Sequence, residues 1–159
     1  MPNWIEGTMK LRGKRENIKR FFKEGLDASS WPKPEDRENQ VIDNSEGSEL
    51  DFSFHNEPHI KGTRRAFITD QNAYMVEDEG VVCVDVKQAW AFNADRENED
   101  LKKWKSISDE YDLDIKLFGI ESGMEFEQEI IILRNRRPII TEKQYEDWEW
   151  ECKFPNMGG

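Results

Sequence analysis

The densest group of residues suited to metal chemistry is the segment HNEPH, which contains His55, Glu57 and His59. A His-x-Glu pair occurs in zinc deaminases, where the histidine binds the metal and the glutamate moves protons, but those enzymes also need a P-C-x-x-C motif. The two cysteines, Cys83 and Cys152, are far apart and form no such motif. We therefore expect HNEPH to be a polar turn after a strand, with no metal and no cofactor bound.

Three glutamates at alternating positions form a second candidate site. Glu125, Glu127 and Glu129 are predicted to point to one face of a strand, because strand side chains alternate with a period of two. Clustered carboxylates can perform acid–base chemistry or hold Mg²⁺, whereas the solvent face of an amphipathic strand has the same pattern. We favour the solvent face, and we predict that these residues form an acidic patch that binds a basic groove of a protein partner.

Nine basic residues could converge in the fold into a patch that binds nucleic acid. The candidates are Lys10, Arg12, Lys14, Arg15, Arg64, Arg65, Arg134, Arg136 and Arg137, with Trp4 or Trp31 as stacking partners for bases. Scattered, solvated charges are the expected arrangement. No Walker A loop, dinucleotide-binding glycine pattern, G-x-S-x-G elbow or H-E-x-x-H motif is present, so no catalytic residue is assigned.

The elements that must position these residues are clearest between Val81 and Leu133. An alternating valine-rich strand comes first, and Cys83 within it is predicted to be a small buried residue. A helix follows, with Asn93 as its N-cap and an apolar stripe of Leu101, Trp104, Ile107 and Tyr111. Two further strands joined by the turn at 121–123 complete the unit.

The remaining segments flank this unit. A strand over 3–12, a helix over 14–26, and short strands over 49–55, 64–69 and 73–76 are predicted. Residues 27–47 are predicted to be a long surface loop or insertion, because they contain prolines and few apolar residues. Residues 142–159 form a C-terminal extension with two open interpretations. Thr141 and Gln144 have capping-box spacing that indicates a helix, whereas Trp148, Trp150, Cys152 and Phe154 alternate like a strand.

The composition indicates one folded domain over residues 1–159. Only 36% of the chain is hydrophobic, yet six Trp and nine Phe supply large areas for burial. The net charge of −11 disfavours binding to nucleic acid or to an anionic membrane. No apolar run has the length of a membrane span. The order of elements predicts an α+β fold of the ferredoxin-like, split βαβ type, with an antiparallel sheet and helices packed on one face.

Short motifs also resemble those of a known family. The opening Met1-Pro2-Asn3-Trp4 resembles the MPNW start of the YubB ferredoxin-like family, whose members are small phage and plasmid proteins. Ala89-Trp90-Ala91-Phe92, the helix through Trp104 and the turn Glu121-Ser122-Gly123 resemble the aromatic junction, helix and turn of that family. The resemblance covers residues 1–26 and 81–133.

Two positions depart from the pattern of the family. Ile5 stands where a cysteine usually follows the tryptophan, and 93–95 replace the prolines often found after the junction. The resemblance implies a ferredoxin-like fold, an origin in a mobile element and a location in the cytoplasm of a bacterial host. It supplies no catalytic residues.

We therefore expect a non-enzymatic accessory protein of a phage or related mobile element that acts by binding another protein. One alternative is an inhibitor of a host defence or nucleic-acid-processing complex, which would use the acidic surface as a mimic of DNA. The other is a small metal-dependent hydrolase or nuclease that uses the clustered carboxylates. The oligomeric state is not predicted.

Overall fold

A computed structural model describes residues 3–27, 40–93 and 99–158, which form an α+β structure of two sheets and three helices. The strands are β1 (Trp4–Lys14), β2 (Leu26–Asp27), β3 (Val41–Asp43), β4 (Leu50–Phe54), β5 (His59–Ile60), β6 (Ala66–Ile68), β7 (Asn72–Met75), β8 (Glu79–Ala89), β9 (Asp114–Glu121), β10 (Phe126–Ile132) and β11 (Ile139–Gln144). The helices are α1 (Arg15–Glu24), α2 (Glu99–Tyr111) and α3 (Trp148–Glu151).

Strand β1 is central in the larger sheet, whose order is β11-β10-β9-β1-β8-β6-β5-β2. It pairs antiparallel with β8 on one side and with β9 on the other. Strands β8 and β9 therefore run parallel to each other, and the chain passes through α2 between them. The alternation predicted for this strand is confirmed, because Ile5, Met9 and Leu11 are buried and Lys10 and Arg12 are exposed.

Helices α1 and α2 cover one face of this sheet, which we call the helix face. Ile18 and Phe21 of α1 and Trp104 of α2 belong to the same buried cluster as Val84 of β8. The rings of Phe21 and Tyr111 meet edge to face at 5.4 Å, which joins the two helices. The predicted apolar stripe of α2 is confirmed. The opposite face, which carries Lys10, Cys83 and Lys116, we call the open face.

The smaller sheet, in the order β3-β4-β7, extends the core beyond α1. Phe22 of α1 packs against Phe52 and Phe54 of β4, with both ring-centroid distances at 5.2 Å. The amphipathic pattern of β4 thus buries its apolar side on a helix. Strand β3 lies within the predicted loop over 27–47, so that prediction is wrong at Val41–Asp43. Residues 28–39, including Trp31, lie outside the described residues.

A buried amide network holds the turn that follows β8. Trp104 Nε1 donates to Gln88 Oε1 at 3.1 Å, and the Phe92 backbone N–H donates to Gln128 Oε1 at 3.0 Å. Gln128 Nε2 in turn donates to Asn93 Oδ1 at 2.7 Å. These side-chain amides satisfy polar groups that water cannot reach. Residues 94–98, where the predicted helix start falls, lie outside the described residues.

The C-terminal extension does not follow either predicted pattern. Thr141 lies in β11, so the capping-box prediction is wrong. The strand alternation is also wrong, because the chain from Trp148 to Glu151 forms a single helical turn, α3. Asp147 caps this turn by accepting a hydrogen bond from the Trp150 backbone N–H at 3.4 Å. A local hydrogen bond from the cap therefore competes successfully with the extended conformation.

Candidate functional site

The predicted acidic trio does not form one row of free carboxylates. Glu125 precedes β10 in a turn, where it is exposed and has a φ of +58°. Glu127 and Glu129 lie in β10 and point to the open face, opposite Ile120 and Phe118 of β9. The prediction of a shared face is thus confirmed for Glu127 and Glu129 and wrong for Glu125, because the strand begins only after it.

The two glutamates in the strand have partners within the chain. Glu127 accepts a hydrogen bond from the Tyr145 hydroxyl. Burial and this neighbouring carboxylate raise the pKa of the Tyr145 phenol well above its usual range. Glu129 forms an ion pair with Lys116 at 2.8 Å. These contacts hold the two carboxylates against the sheet, where both are half-buried, so Glu125 is the one exposed member of the trio.

Strand β11 forms the outer edge of the larger sheet beside these glutamates. All six of its residues are exposed, and it pairs with β10 alone. Ile139 is 55% exposed and Ile140 is 40% exposed. Ile139 lies opposite Ile131 on the open face, and Ile140 lies opposite Ile130 on the helix face. The edge therefore presents an apolar side chain on each face and a row of backbone groups that no strand of the described chain covers.

The segment after β11, residues 145–158, folds back over part of the open face. Tyr145, Trp148 and Cys152 are buried there against Ile120. The rings of Tyr145 and Trp148 meet edge to face at 5.4 Å. The end of the segment is held by a hydrogen bond of 2.7 Å from Ser122 Oγ to the Gly158 carbonyl oxygen. This second small core holds α3 near the end of β9.

Helix α3 presents an acidic aromatic surface to solvent. Its buried residue, Trp148, donates from Nε1 to the Pro155 carbonyl oxygen at 3.1 Å. Trp150 lies on the other side of the turn and is 87% exposed. Its neighbours Glu149 and Glu151 are exposed as well. Trp150 thus offers the face of a large apolar ring to solvent between two carboxylates.

Some of the basic residues gather at two places on the open face, whereas Arg15 begins α1 and pairs with Asp78 at 3.0 Å. Arg12 and Arg134 meet at Asp114, at 2.7 Å and 3.3 Å respectively, near Lys10 and Lys116. Lys10 and Lys116 are directly opposite each other in the register of β1 and β9. Glu129 pairs with Lys116 at 2.8 Å, so Lys10 is the cation of this facing pair that lacks an ion-pair partner among the described residues.

The carboxylate at the centre of this group has a lowered pKa. Burial alone would raise the pKa of Asp114, but hydrogen bonds from the Arg134 backbone N–H and the Arg12 side chain, together with both positive charges, lower it. Asp114 is therefore ionised and holds both arginines in place.

The second basic group lies at the opposite end of β1. Arg65 stacks over the Trp4 ring with its guanidinium carbon 5.2 Å from the centroid, and Lys87 approaches the same ring at 5.3 Å. Trp4 also meets Phe67 edge to face at 6.0 Å. The cations thus cover the indole and leave it little free surface for stacking on a base.

The HNEPH segment forms a turn between β4 and β5, as predicted. His59 Nε2 lies 3.1 Å from the Thr63 carbonyl oxygen, and Glu57 forms an ion pair with Lys87 at 2.6 Å. In the described ranges 3–27, 40–93 and 99–158, no group of three or more His, Cys, Asp or Glu side chains could hold a metal ion.

Cys83 is exposed, so the prediction that it is buried is wrong. Alternate residues of β8 point to opposite faces, and Cys83 lies on the open face opposite Lys10. The valine-rich sequence predicts two buried faces, but neither of the long helices of the described chain, α1 and α2, covers the open face at this strand. Partial burial and the Asp85 carboxylate still raise the pKa of the thiol.

Sequence reasoning missed the apolar residues that the open edge and α3 expose. The signal for the edge was Pro138 followed by two isoleucines and then charged residues, which is typical of an edge strand. Comparisons of the chain with protein-family models, with curated proteins and with solved structures found no significant match. Within the part of the chain that the structure describes, no helix is long and apolar enough to cross a membrane.

Proposed function

We propose that this protein acts by binding another protein, and that the partner adds an extended segment to the outer edge of β11. The observation that carries the proposal is that all six residues of this edge strand are exposed, two of them isoleucines. An exposed, unpaired edge is a template for one more strand, because its backbone N–H and C=O groups lack partners. No catalytic step is part of the proposal.

The two isoleucines and the nearby charges define the chemistry of this partner. A strand added beside β11 places alternate side chains on the two faces, so one contacts Ile139 and the next contacts Ile140. Charges of both signs lie close by, because Glu142 and Lys143 are adjacent within β11 and Glu125 lies in the turn before β10. An extended segment that alternates apolar residues with charges opposite to these, and that places a basic residue toward Glu125, fits this edge best.

The predicted acidic patch contributes to this surface through Glu125 alone. Glu127 and Glu129 are held by Tyr145 and Lys116, so charge mimicry of DNA by free carboxylates has little support from their geometry. Strand addition places the binding energy in backbone hydrogen bonds and apolar contacts instead.

We also propose that the domain belongs to the ferredoxin-like class. The order β9-β1-β8-β6, with β8 and β9 both antiparallel to β1, supports this classification. Membership of the YubB ferredoxin-like family, an origin in a phage or plasmid and a cytoplasmic location are proposed on the resemblance of the sequence motifs.

Affinity capture from bacterial lysate tests the binding function when three forms of the protein are compared. Ile139→Lys combined with Ile140→Lys adds positive charge to the edge and removes both apolar contacts, so a partner retained by the wild type is expected to be lost. Glu125→Lys is expected to retain less of it.

The matched control is Tyr74→Lys combined with Val76→Lys, since those side chains are 55% and 54% exposed near β7. The control is expected to retain the partner fully. Equal recovery by the edge variant and the wild type would show that β11 is not the binding edge.

A further inference from the structure

A shallow depression lies at the end of the open face, and its lining combines apolar and basic residues. It has a volume of ≈ 250 Å³. Val81 and Ile131 contribute apolar surface, and Lys10, Arg12 and Lys116 surround them. Pockets for drug-sized ligands span about 300–1,000 Å³, so this depression suits a single large side chain better than a small molecule.

The register of the strands places these residues side by side. On the open face Ile131 of β10 is opposite Lys116 of β9, which is opposite Lys10 of β1. Val81 of β8 is opposite Arg12 in the next row and is 53% exposed. The depression therefore has apolar surface at both sides and two opposed lysines between them.

The charge at this depression is not fully balanced by the described chain. Arg12 pairs with Asp114 and Lys116 pairs with Glu129. Lys10 has no ion-pair partner among the described residues, and it lies directly opposite Lys116 in the strand register. A ligand that brings carboxylates and an apolar group would satisfy both features of the site.

Helix α3 has the complementary composition. Trp150 is 87% exposed, and four carboxylates lie between Glu146 and Glu151. Docking of this indole against Val81 and Ile131 would remove its large apolar area from water, while its acidic neighbours would meet the lysines.

Trp150 cannot dock on its own chain. Trp148 and Cys152 hold α3 against Ile120, at the far end of β9 from Lys116 and the depression. The hydrogen bond between Ser122 and Gly158 holds the end of the segment at the same place. The side chain that enters the depression must come from another molecule.

We propose that a second copy of this chain occupies the depression, with its Trp150 inserted between Val81 and Ile131 and its α3 carboxylates against Lys10 and Lys116. The two surfaces differ, so the interface is heterologous and leaves one free surface of each kind in a dimer. This self-association does not involve β11, so its experimental test is independent of the test of the proposed function.

Sedimentation velocity over a range of concentrations tests the proposal on the full chain. The wild type is expected to exceed the monomer mass of 18.8 kDa as concentration rises. Trp150→Ala is expected to weaken association by about tenfold or more. Lys10→Glu combined with Val81→Asp is expected to have a similar effect.

The controls remove comparable groups elsewhere. Tyr74→Ala removes an aromatic side chain that is 55% exposed, and Lys102→Glu combined with Val76→Asp makes the same charge change outside the depression. Both controls are expected to associate like the wild type. Circular dichroism of every variant checks that it is folded.

Mixing provides the decisive measurement. Trp150→Ala keeps an intact depression, and Lys10→Glu combined with Val81→Asp keeps an intact α3, so a mixture of the two is expected to form a one-to-one dimer although each alone is a monomer. A wild type that stays monomeric at every concentration overturns the proposal. Association that survives Trp150→Ala, or a mixture that stays monomeric, overturns it as well.

Discussion

Replacement of Gln88 by Leu tests whether the buried amide network stabilises the turn after β8. Gln88 is 1% exposed and accepts a hydrogen bond of 3.1 Å from Trp104 Nε1, which is itself fully buried. Leucine has a similar shape but no acceptor, so the indole N–H is left without a partner away from water. The expected loss in the free energy of unfolding is about 1–3 kcal/mol.

Replacing the donor, Trp104, as well distinguishes the contribution of the hydrogen bond from that of packing. Trp104→Phe removes the donor and leaves the Gln88 carbonyl oxygen unsatisfied, and it also leaves space where the indole was. In the double variant neither polar group remains. The cost of the double variant is therefore expected to fall below the sum of the single costs by about 1–3 kcal/mol.

Urea unfolding followed by circular dichroism measures the free energy of unfolding of the wild type, the two single variants and the double variant. The dependence of this free energy on urea concentration is compared between the four proteins. Gln88→Leu combined with Phe52→Leu serves as a control, because Phe52 lies in β4 and shares no hydrogen bond with Gln88 in the described structure. Costs in the control are expected to add within about 0.5 kcal/mol. If the costs of Gln88→Leu and Trp104→Phe also add, the hydrogen bond contributes nothing specific and the reasoning fails.

Two further substitutions and one labelling experiment each test a single local feature of the structure. Gly7→Ala places a Cβ in a steric clash with the Phe118 backbone oxygen, so circular dichroism should show an unfolded or strongly destabilised protein; a folded variant with wild-type stability would contradict this. Asp114→Asn should cost about 1–2 kcal/mol at neutral pH. The pKa of Asp114 in the folded protein lies below its ordinary value of 3.8. Ionised Asp114 therefore stabilises the fold above pH 3.8, and this stabilisation is lost as the pH falls through the folded pKa. The free energy of unfolding of Asp114→Asn should consequently depend less on pH below 3.8 than that of the wild type. A thiol reagent should label Cys83 in the native protein and Cys152 only after unfolding; labelling of both in the native protein would show that the C-terminal core opens.

The regular elements of this fold were predictable because their apolar residues recur with the period of the element. Leu50, Phe52 and Phe54 alternate, and β4 buries all three. Ile18, Phe21 and Phe22 recur at helical spacing, and α1 buries all three. Each of these patterns depends only on neighbours within one segment, so the sequence contains the whole signal.

The candidate site was less predictable because it depends on which strands become neighbours. Glu129 and Lys116 are 13 positions apart in the chain, and their ion pair exists only because β9 and β10 are adjacent. The same adjacency places Lys10 opposite Lys116. Sequence alone identifies these residues as charged but gives no means of pairing them.

What the sequence by itself determined is the set of elements and the side of each one that is apolar. The tertiary structure decided which faces are covered. Helices α1 and α2 cover one face of the larger sheet, whereas on the other face, among the residues that the structure describes, the C-terminal segment packs near Ile120. Cys83, Lys10 and the edge of β11 therefore remain accessible. The physical reason is that burial is a property of contacts between distant segments, whereas periodicity is a property of one segment alone.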